Sequence, residues 1–97
     1  MKILDKIGMC MSYKGYLFWE EAVMIAKRKR KDKINMENIY DEIAKKYELN
    51  PNTVRRDMDL ALYKINNLKK KLNVEYDLTI KKALMLFASK QRGEEDE

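Results

Sequence analysis

Apolar residues recur along the chain at spacings of three and four residues, which is the period of α-helices rather than of β-strands. The pattern predicts five or six helices. A short first helix ends at Gly8, because glycine readily adopts the positive φ that ends a helix. A second helix, apolar over much of its circumference, begins near Gly15 and ends near Arg28. We expect this second helix to be the central element of the core.

Two further helices are predicted on either side of a short break in the pattern. The first of them spans Met36–Tyr47 and carries one apolar stripe. At the break, Asn50 is a favourable N-cap, and Pro51 at the first helical position has no N–H group to leave unpaired. A helix is therefore predicted to start at Pro51 and to run to about Asn66, with an apolar stripe that continues as far as Leu72.

Toward the end of the chain, the residues change from mostly apolar to mostly acidic. A last helix is predicted to start near Asp77 or Thr79, and the residues from 93 to 97 have nothing to bury. The sequence thus predicts one domain over residues 1–92 and a disordered acidic tail over residues 93–97. A chain of 97 residues is large enough for one hydrophobic core only. Together with the helical period, this length predicts an all-α fold class, a single compact five- to six-helix domain containing a helix-turn-helix.

The composition excludes most enzyme chemistry. The chain has no histidine and one cysteine, Cys10, so disulfide frameworks, Cys/His zinc sites and histidine general bases are ruled out. Neither a glycine-rich phosphate loop nor a pair of carboxylates on one helix face is apparent. We therefore expect no enzyme activity, no cofactor and no metal. A lone thiol of this kind is expected to be a small buried hydrophobe.

Nothing in the sequence predicts contact with a membrane. The apolar runs are shorter than the roughly 18 residues needed to cross a bilayer. The first residues, from Met1 to Asp5, lack the apolar segment and the small-residue cleavage site of a signal peptide. We expect a cytoplasmic protein.

The charge of the chain is positive and unevenly distributed. The formal charge is +5, from 21 basic and 16 acidic side chains, and four of the acids are the last four residues. Without those four, 21 basic residues face 12 acidic ones, which leaves +9 on the body of the domain. A basic body favours polyanions, above all nucleic acid, although lysines also keep small helical proteins soluble. The run Lys27–Lys31 fits a solvated helix end as well as it fits a phosphate contact.

The helix that starts at Pro51 carries side chains of the kinds that read bases in the major groove. On its polar face, arginine is able to pair with guanine, asparagine with adenine, and threonine near the helix start with a phosphate. Arg56 is the leading candidate for a base contact, whereas in the alternative interpretation Arg55 and Arg56 merely balance nearby acids. The candidate DNA-binding residues are Asn52, Thr53, Arg55, Arg56, Asp59 and Tyr63 on this helix, with Lys45 and Lys46 on the preceding one.

The aromatic residues give little support to single-strand stacking, the other common mode of nucleic-acid binding. Most of the rings fall on or beside the predicted core stripes, namely Tyr16, Phe18, Trp19, Tyr40, Tyr47 and Phe87. Tyr13 and Tyr63 are the exceptions that we expect to be exposed. Duplex DNA is therefore the predicted partner.

Residues at matching spacing carry a resemblance to a known family. They are Ile7-Gly8, Lys14-Gly15-Tyr16, Glu21-Ala22, Tyr40, Ile43-Ala44-Lys45-Lys46-Tyr47, Val54, Arg56 and Ala61. In these positions the chain resembles the C-terminal DNA-binding effector domain of the bacterial response regulator that initiates sporulation. The resemblance covers residues from about Leu4 to Ile65. It implies an all-helical domain with a helix-turn-helix that binds promoter DNA, often as tandem copies, and regulates transcription.

The resemblance also shows departures at the positions that would contact DNA. Of the recognition-helix residues, Arg56 alone is the residue usual in the family; Thr53 and Asp59 stand where the family tends to carry arginine, and Arg55 where it tends to carry glutamate. The resemblance therefore implies a different DNA site. The family's regulators have a receiver domain upstream, whereas this chain starts with Met1. If the chain is complete, we expect control by abundance or by a partner; if it is a fragment, the missing part decides regulation.

A second class of function stays open, an interaction protein that pairs with another regulator or with RNA polymerase without reading a specific DNA sequence. The run from Ala83 to Phe87 in the last helix is more apolar than a monomer of this size needs. It is a candidate contact for a homodimer, for tandem copies on DNA, or for RNA polymerase.

Overall fold

The computed structural model describes residues 1–29 and 33–95, with side chains described as far as residue 91. Within those residues the chain forms six α-helices and no strand, which confirms the predicted all-α class. The helices are α1 (Lys2–Lys6), α2 (Lys14–Arg28), α3 (Met36–Tyr47), α4 (Pro51–Tyr63), α5 (Leu68–Leu72) and α6 (Ile80–Glu95). Of the basic run Lys27–Lys31, the last two residues lie outside the described part of the chain.

Helix α2 is the centre of the core, as the density of its apolar positions predicts. It packs against α3, α4 and α6, while α1 packs on α6 and α3 packs on α4. Trp19, Ala22 and Val23 on α2 are fully buried. The indole ring of Trp19 meets the ring of Phe87 on α6 edge to face, with ring centroids 5.2 Å apart. This aromatic pair joins the two longest helices.

The break between α3 and α4 forms as the sequence predicts. Helix α3 ends at Glu48, which adopts the left-handed conformation with φ 55°. The side chain of Asn50 then caps α4 by accepting a hydrogen bond from the backbone N–H of Asn52 at 2.8 Å, and Pro51 is the first helical residue. Three residues, 48–50, therefore connect the two helices, and each backbone turn is explained by a local interaction.

The predicted length of the fourth helix is wrong. Helix α4 ends at Tyr63 instead of Asn66, and the chain turns at Asn67, which has a left-handed φ of 57°. The short helix α5 follows and ends at Asn73, again left-handed. The apolar period does not reveal this break, because Ile65 and Leu72 are buried on both sides of it. Asparagine tolerates the left-handed conformation better than most residues, so the chain turns there at low cost.

The loop after α1 corrects the expectation that Cys10 is buried. Gly8 adopts a positive φ of 83°, and the next residue, Met9, donates its backbone N–H to the carbonyl of Leu4 at 3.0 Å. This turn directs the Met9 side chain into the core and leaves Cys10 exposed. The thiol of Cys10 lies 2.9 Å from the hydroxyl of Ser12, a hydrogen bond that lowers the pKa of the thiol.

Helix α6 closes the domain against α1. The side-chain oxygen of Thr79 accepts from the backbone N–H of Lys82 and so caps the helix. Near the other end, the buried side chain of Gln91 accepts from the backbone N–H of Ile3 at 3.0 Å. The helix continues to Glu95 and so includes three residues that the sequence assigns to the tail; Asp96 and Glu97 lie outside the described residues. None of the described helices is both long and apolar enough to cross a bilayer.

Candidate nucleic-acid interface

One face of α4 is exposed and carries the candidate base-reading side chains. The side chains of Arg55 and Arg56 are 64% and 71% exposed, and Tyr63 is 88% exposed. On the opposite face, Val54 and Met58 are fully buried. At about 100° per residue, the exposed residues fall within one third of the helix circumference. We call this set the α4 stripe: Asn52, Arg55, Arg56, Asp59 and Tyr63, all exposed. Thr53 lies at its edge and is half-buried.

Two contacts with α2 fix the position of α4. The indole N–H of Trp19 donates to the main-chain carbonyl of Met58 at 2.8 Å, in the fully buried interior. One turn earlier, Gly15 lies so close to α4 that an added Cβ would stand 2.3 Å from the carbonyl oxygen of Asp57 and 2.6 Å from the Cβ of Ala61. Only glycine permits this approach without displacement. The α4 stripe therefore lies on a helix that is hydrogen-bonded to α2 and closely packed against it.

The acids beside the arginines hold them weakly. Arg55 Nε lies 4.0 Å from an oxygen of Asp59, and Arg56 Nε lies 4.0 Å from an oxygen of Asp57. Asp57 is half-buried, but both arginines and Asp59 are exposed, and ion pairs of this length contribute little where water screens the charges. Both guanidinium groups therefore have most of their hydrogen-bond donors free to face a ligand.

The two lysines at the end of α3 differ in availability. The ammonium group of Lys46 donates to a carboxylate oxygen of Glu21 on α2, and the hydroxyl of Tyr47 donates to the same oxygen at 3.0 Å. The hydrogen bond to Lys46 lowers the pKa of Glu21 and raises the pKa of Lys46. Lys45 is exposed. The role of Glu21 is not predictable from the sequence, because nothing local connects residues 25 positions apart.

A groove of about 940 Å³ runs beside the α4 stripe. Its far wall is formed by α5 and the segment after it, where Lys69 and Asp77 lie 3.5 Å apart. This wall was not predicted, because the apolar period indicates that α4 continues in a straight line. The apolar side chains that line the groove are Leu60, Leu62, Ile65, Leu68 and Leu78.

The apolar run of the last helix is largely used by the core. Ala83, Leu84 and Phe87 are fully buried, and Met85 and Leu86 are partly buried.

The predicted exposure of the two tyrosines is confirmed, since Tyr13 is 40% exposed and Tyr63 more so. The six rings assigned to the core are buried or packed against it. Among the described residues, no group of three acidic or cysteine side chains is placed to hold a metal ion.

A capped helix, packed closely against the helix behind it, thus presents arginine and asparagine to solvent, an arrangement also found in small helical DNA-binding domains. The family model described as sporulation initiation factor Spo0A C terminal matches residues 1–86. The chain therefore belongs to this family of DNA-binding domains, which is not a family of enzymes, and the resemblance noted in the sequence is confirmed. No curated protein and no solved structure matches the chain.

Proposed function

We propose that the chain binds duplex DNA in a sequence-specific manner and that α4 is the recognition helix, lying in the major groove. The observation that carries this proposal is the α4 stripe itself. It combines exposed amide and guanidinium groups along one line of a helix whose opposite face is fully buried. Arg56, the more exposed of the two arginines, is the proposed guanine contact, and Asn52 the proposed adenine contact.

The dimensions of α4 support this placement. Its 13 residues make a rod about 20 Å long, and the major groove, about 12 Å wide, admits an α-helix. At the start of the helix, Thr53 and the capped first turn lie beside Asn52, where they would meet a phosphate at the edge of the groove. The recognition helix would thus be set in register by its first turn and read bases with the residues that follow.

The lysines of α3 supply a contact with phosphates that carries no sequence information. Lys45 is the stronger candidate, because Lys46 is neutralised locally by Glu21. A phosphate that approaches Lys46 must compete with that carboxylate. We expect Lys45 to contribute to the affinity for any duplex, and Lys46 to contribute less.

Membership of the family supports a role in transcription. We propose a bacterial transcriptional regulator that acts in the cytoplasm on promoter DNA. Binding as tandem copies or as a homodimer, through the partly buried Met85 and Leu86 of α6, is part of this proposal, and contact with RNA polymerase is a further one.

Selection of bound duplexes from a random pool tests the proposal. The chain should enrich one motif, and Arg56→Ala should lower the affinity for that motif by on the order of 1–3 kcal/mol while changing the affinity for random DNA much less. Lys45→Ala is the matched control, because removing a phosphate contact should weaken both alike and flatten the dependence of affinity on salt. A chain that binds selected and random duplexes equally would refute sequence-specific reading.

A further inference from the structure

One member of the α4 stripe has the wrong charge for a surface that binds a polyanion. Asp59 is 53% exposed and lies near the centre of the stripe rather than at its edge. At about 100° per residue, Asn52, Asp59 and Tyr63 project within about 40° of one another, and the two arginines flank that line. The carboxylate therefore points in the same direction as the side chains proposed to read bases.

This position decides what the carboxylate would meet in the major groove. The centre of a helix face that enters the groove is directed at its floor, where base edges are displayed, whereas the edges of the face meet the phosphates. Repulsion keeps a carboxylate from the phosphates, and on the floor it needs a hydrogen-bond donor. Cytosine N4 and adenine N6 are the donors that bases present there, and aspartate pairs with the former.

The position of Arg55 next to Asp59 favours cytosine over adenine as the base that Asp59 contacts. Arg55 lies one turn earlier, with its Nε 4.0 Å from a carboxylate oxygen of Asp59, so the two side chains are adjacent without being locked together. The pair presents an acceptor and a set of donors side by side. A C·G base pair presents the complement, because cytosine offers one amino donor and guanine offers two acceptors, O6 and N7.

We propose that Arg55 and Asp59 act together to read one C·G base pair, with Asp59 accepting from cytosine N4 and Arg55 donating to the guanine. This inference rests on the proposed function, since it applies only where α4 enters the major groove. The pair also discriminates against other DNA, because a carboxylate placed over a base that lacks an amino group leaves its charge unpaired next to phosphates.

The decisive variant is Asp59→Asn, tested by the same selection from a random pool. The wild-type chain should prefer C·G at one position of its motif by about tenfold or more. Asparagine pairs with adenine through N6 and N7, whereas Arg55 still favours guanine, so in the variant the preference for C·G at that position should weaken and A·T should become more frequent. Arg55→Ala should weaken the preference at the same position, and the double variant should lose little more than either single one.

Asp41→Asn is the matched control, because it removes the same charge from an exposed position on α3. It should raise the affinity for all duplexes slightly and leave the motif unchanged, whereas Asp59→Asn should change the motif itself. Both positions are exposed, so circular dichroism should show both variants as helical as the wild type.

The outcomes separate this inference from the proposed function. A wild-type chain that enriches no motif overturns both. If the wild-type chain enriches a motif and Asp59→Asn enriches the same motif at every position, the Arg55–Asp59 assignment is overturned. The assignment of α4 as the recognition helix then still stands. The pair is established if Asp59→Asn weakens the preference for C·G in favour of A·T at one position and Arg55→Ala weakens the preference at that same position.

Discussion

Replacing Gly15 by alanine tests how closely α2 approaches the recognition helix. Helix propensity alone predicts that alanine stabilises a helix by up to about 1 kcal/mol relative to glycine. The structure predicts the opposite, because the new Cβ would stand 2.3 Å from the Asp57 carbonyl oxygen and 2.6 Å from the Ala61 Cβ. Ordinary contacts between such atoms are about 3.5–4.0 Å, so α2 and α4 must separate by about 1 Å.

The expected magnitude follows from these two opposed effects. Overpacking a well-filled core costs about 1–3 kcal/mol, and the nearest atom at Gly15 is main chain, which cannot rotate away. After the propensity gain, we expect Gly15→Ala to lower the free energy of unfolding by about 1–2 kcal/mol. For a domain of this size the midpoint of thermal unfolding should fall by about 5–15 °C.

Urea unfolding followed by far-ultraviolet circular dichroism measures this loss directly. Ser89→Ala on the exposed side of α6 is the control for propensity, and it should be neutral or slightly stabilising. In a double-mutant cycle, Ala61→Gly should destabilise the wild type but be better tolerated in the Gly15→Ala background, since it removes one of the two clashes. A Gly15→Ala variant as stable as the wild type would refute the close approach of the two helices.

Two further substitutions probe the support and the electrostatics of α4. Trp19→Phe removes the 2.8 Å hydrogen bond to the Met58 carbonyl and leaves unfilled volume, so urea unfolding should show a loss of about 2–4 kcal/mol; a loss within experimental error would contradict the buried contact. Glu21→Gln removes the ion pair with Lys46. Because the folded-state pKa of Glu21 lies below its unfolded value, the pair stabilises the fold above about pH 4.3, and that stability is lost as the pH falls through the folded-state pKa. The variant should therefore lose stability at neutral pH and show a flatter acid limb, and parallel curves would contradict the pairing. The same variant should bind all DNA more tightly, since Lys46 is released, with the slope of affinity against salt as the readout.

Most of the helices were predictable because their ends are marked by single residues with a local mechanism. Gly8 ends α1, and Asn50 with Pro51 starts α4, each through a conformation or a cap that depends on the residue itself. The end of α4 was missed because the apolar period runs on to Leu72, while the turn depends on Asn67 adopting the left-handed conformation. The apolar period indicates which face of a helix is buried, but it does not indicate whether one straight helix continues along the whole period.

The direction in which the candidate side chains project was predictable from the sequence, but the residues that contact them were not. The outward projection of Arg56 follows from helical geometry once α4 is placed. The contacts that tune the site join residues far apart in the chain, such as Glu21 with Lys46 and Gly15 with Asp57. Burial of Cys10 was predicted from its residue type alone, whereas the choice between neighbouring loop residues depends on the turn at Gly8, which directs Met9 inward instead.

The buried hydrogen bond from Trp19 to α4 gives the protein a built-in optical reporter. The chain has one tryptophan, so its tryptophan fluorescence comes from a single indole ring whose N–H is bonded to the main chain of α4, the proposed recognition helix. Movement of α4 relative to α2 would change the polarity around the ring and with it the emission maximum. Titration of the unlabelled protein with DNA should therefore reveal whether α4 docks as a rigid body or shifts on its support.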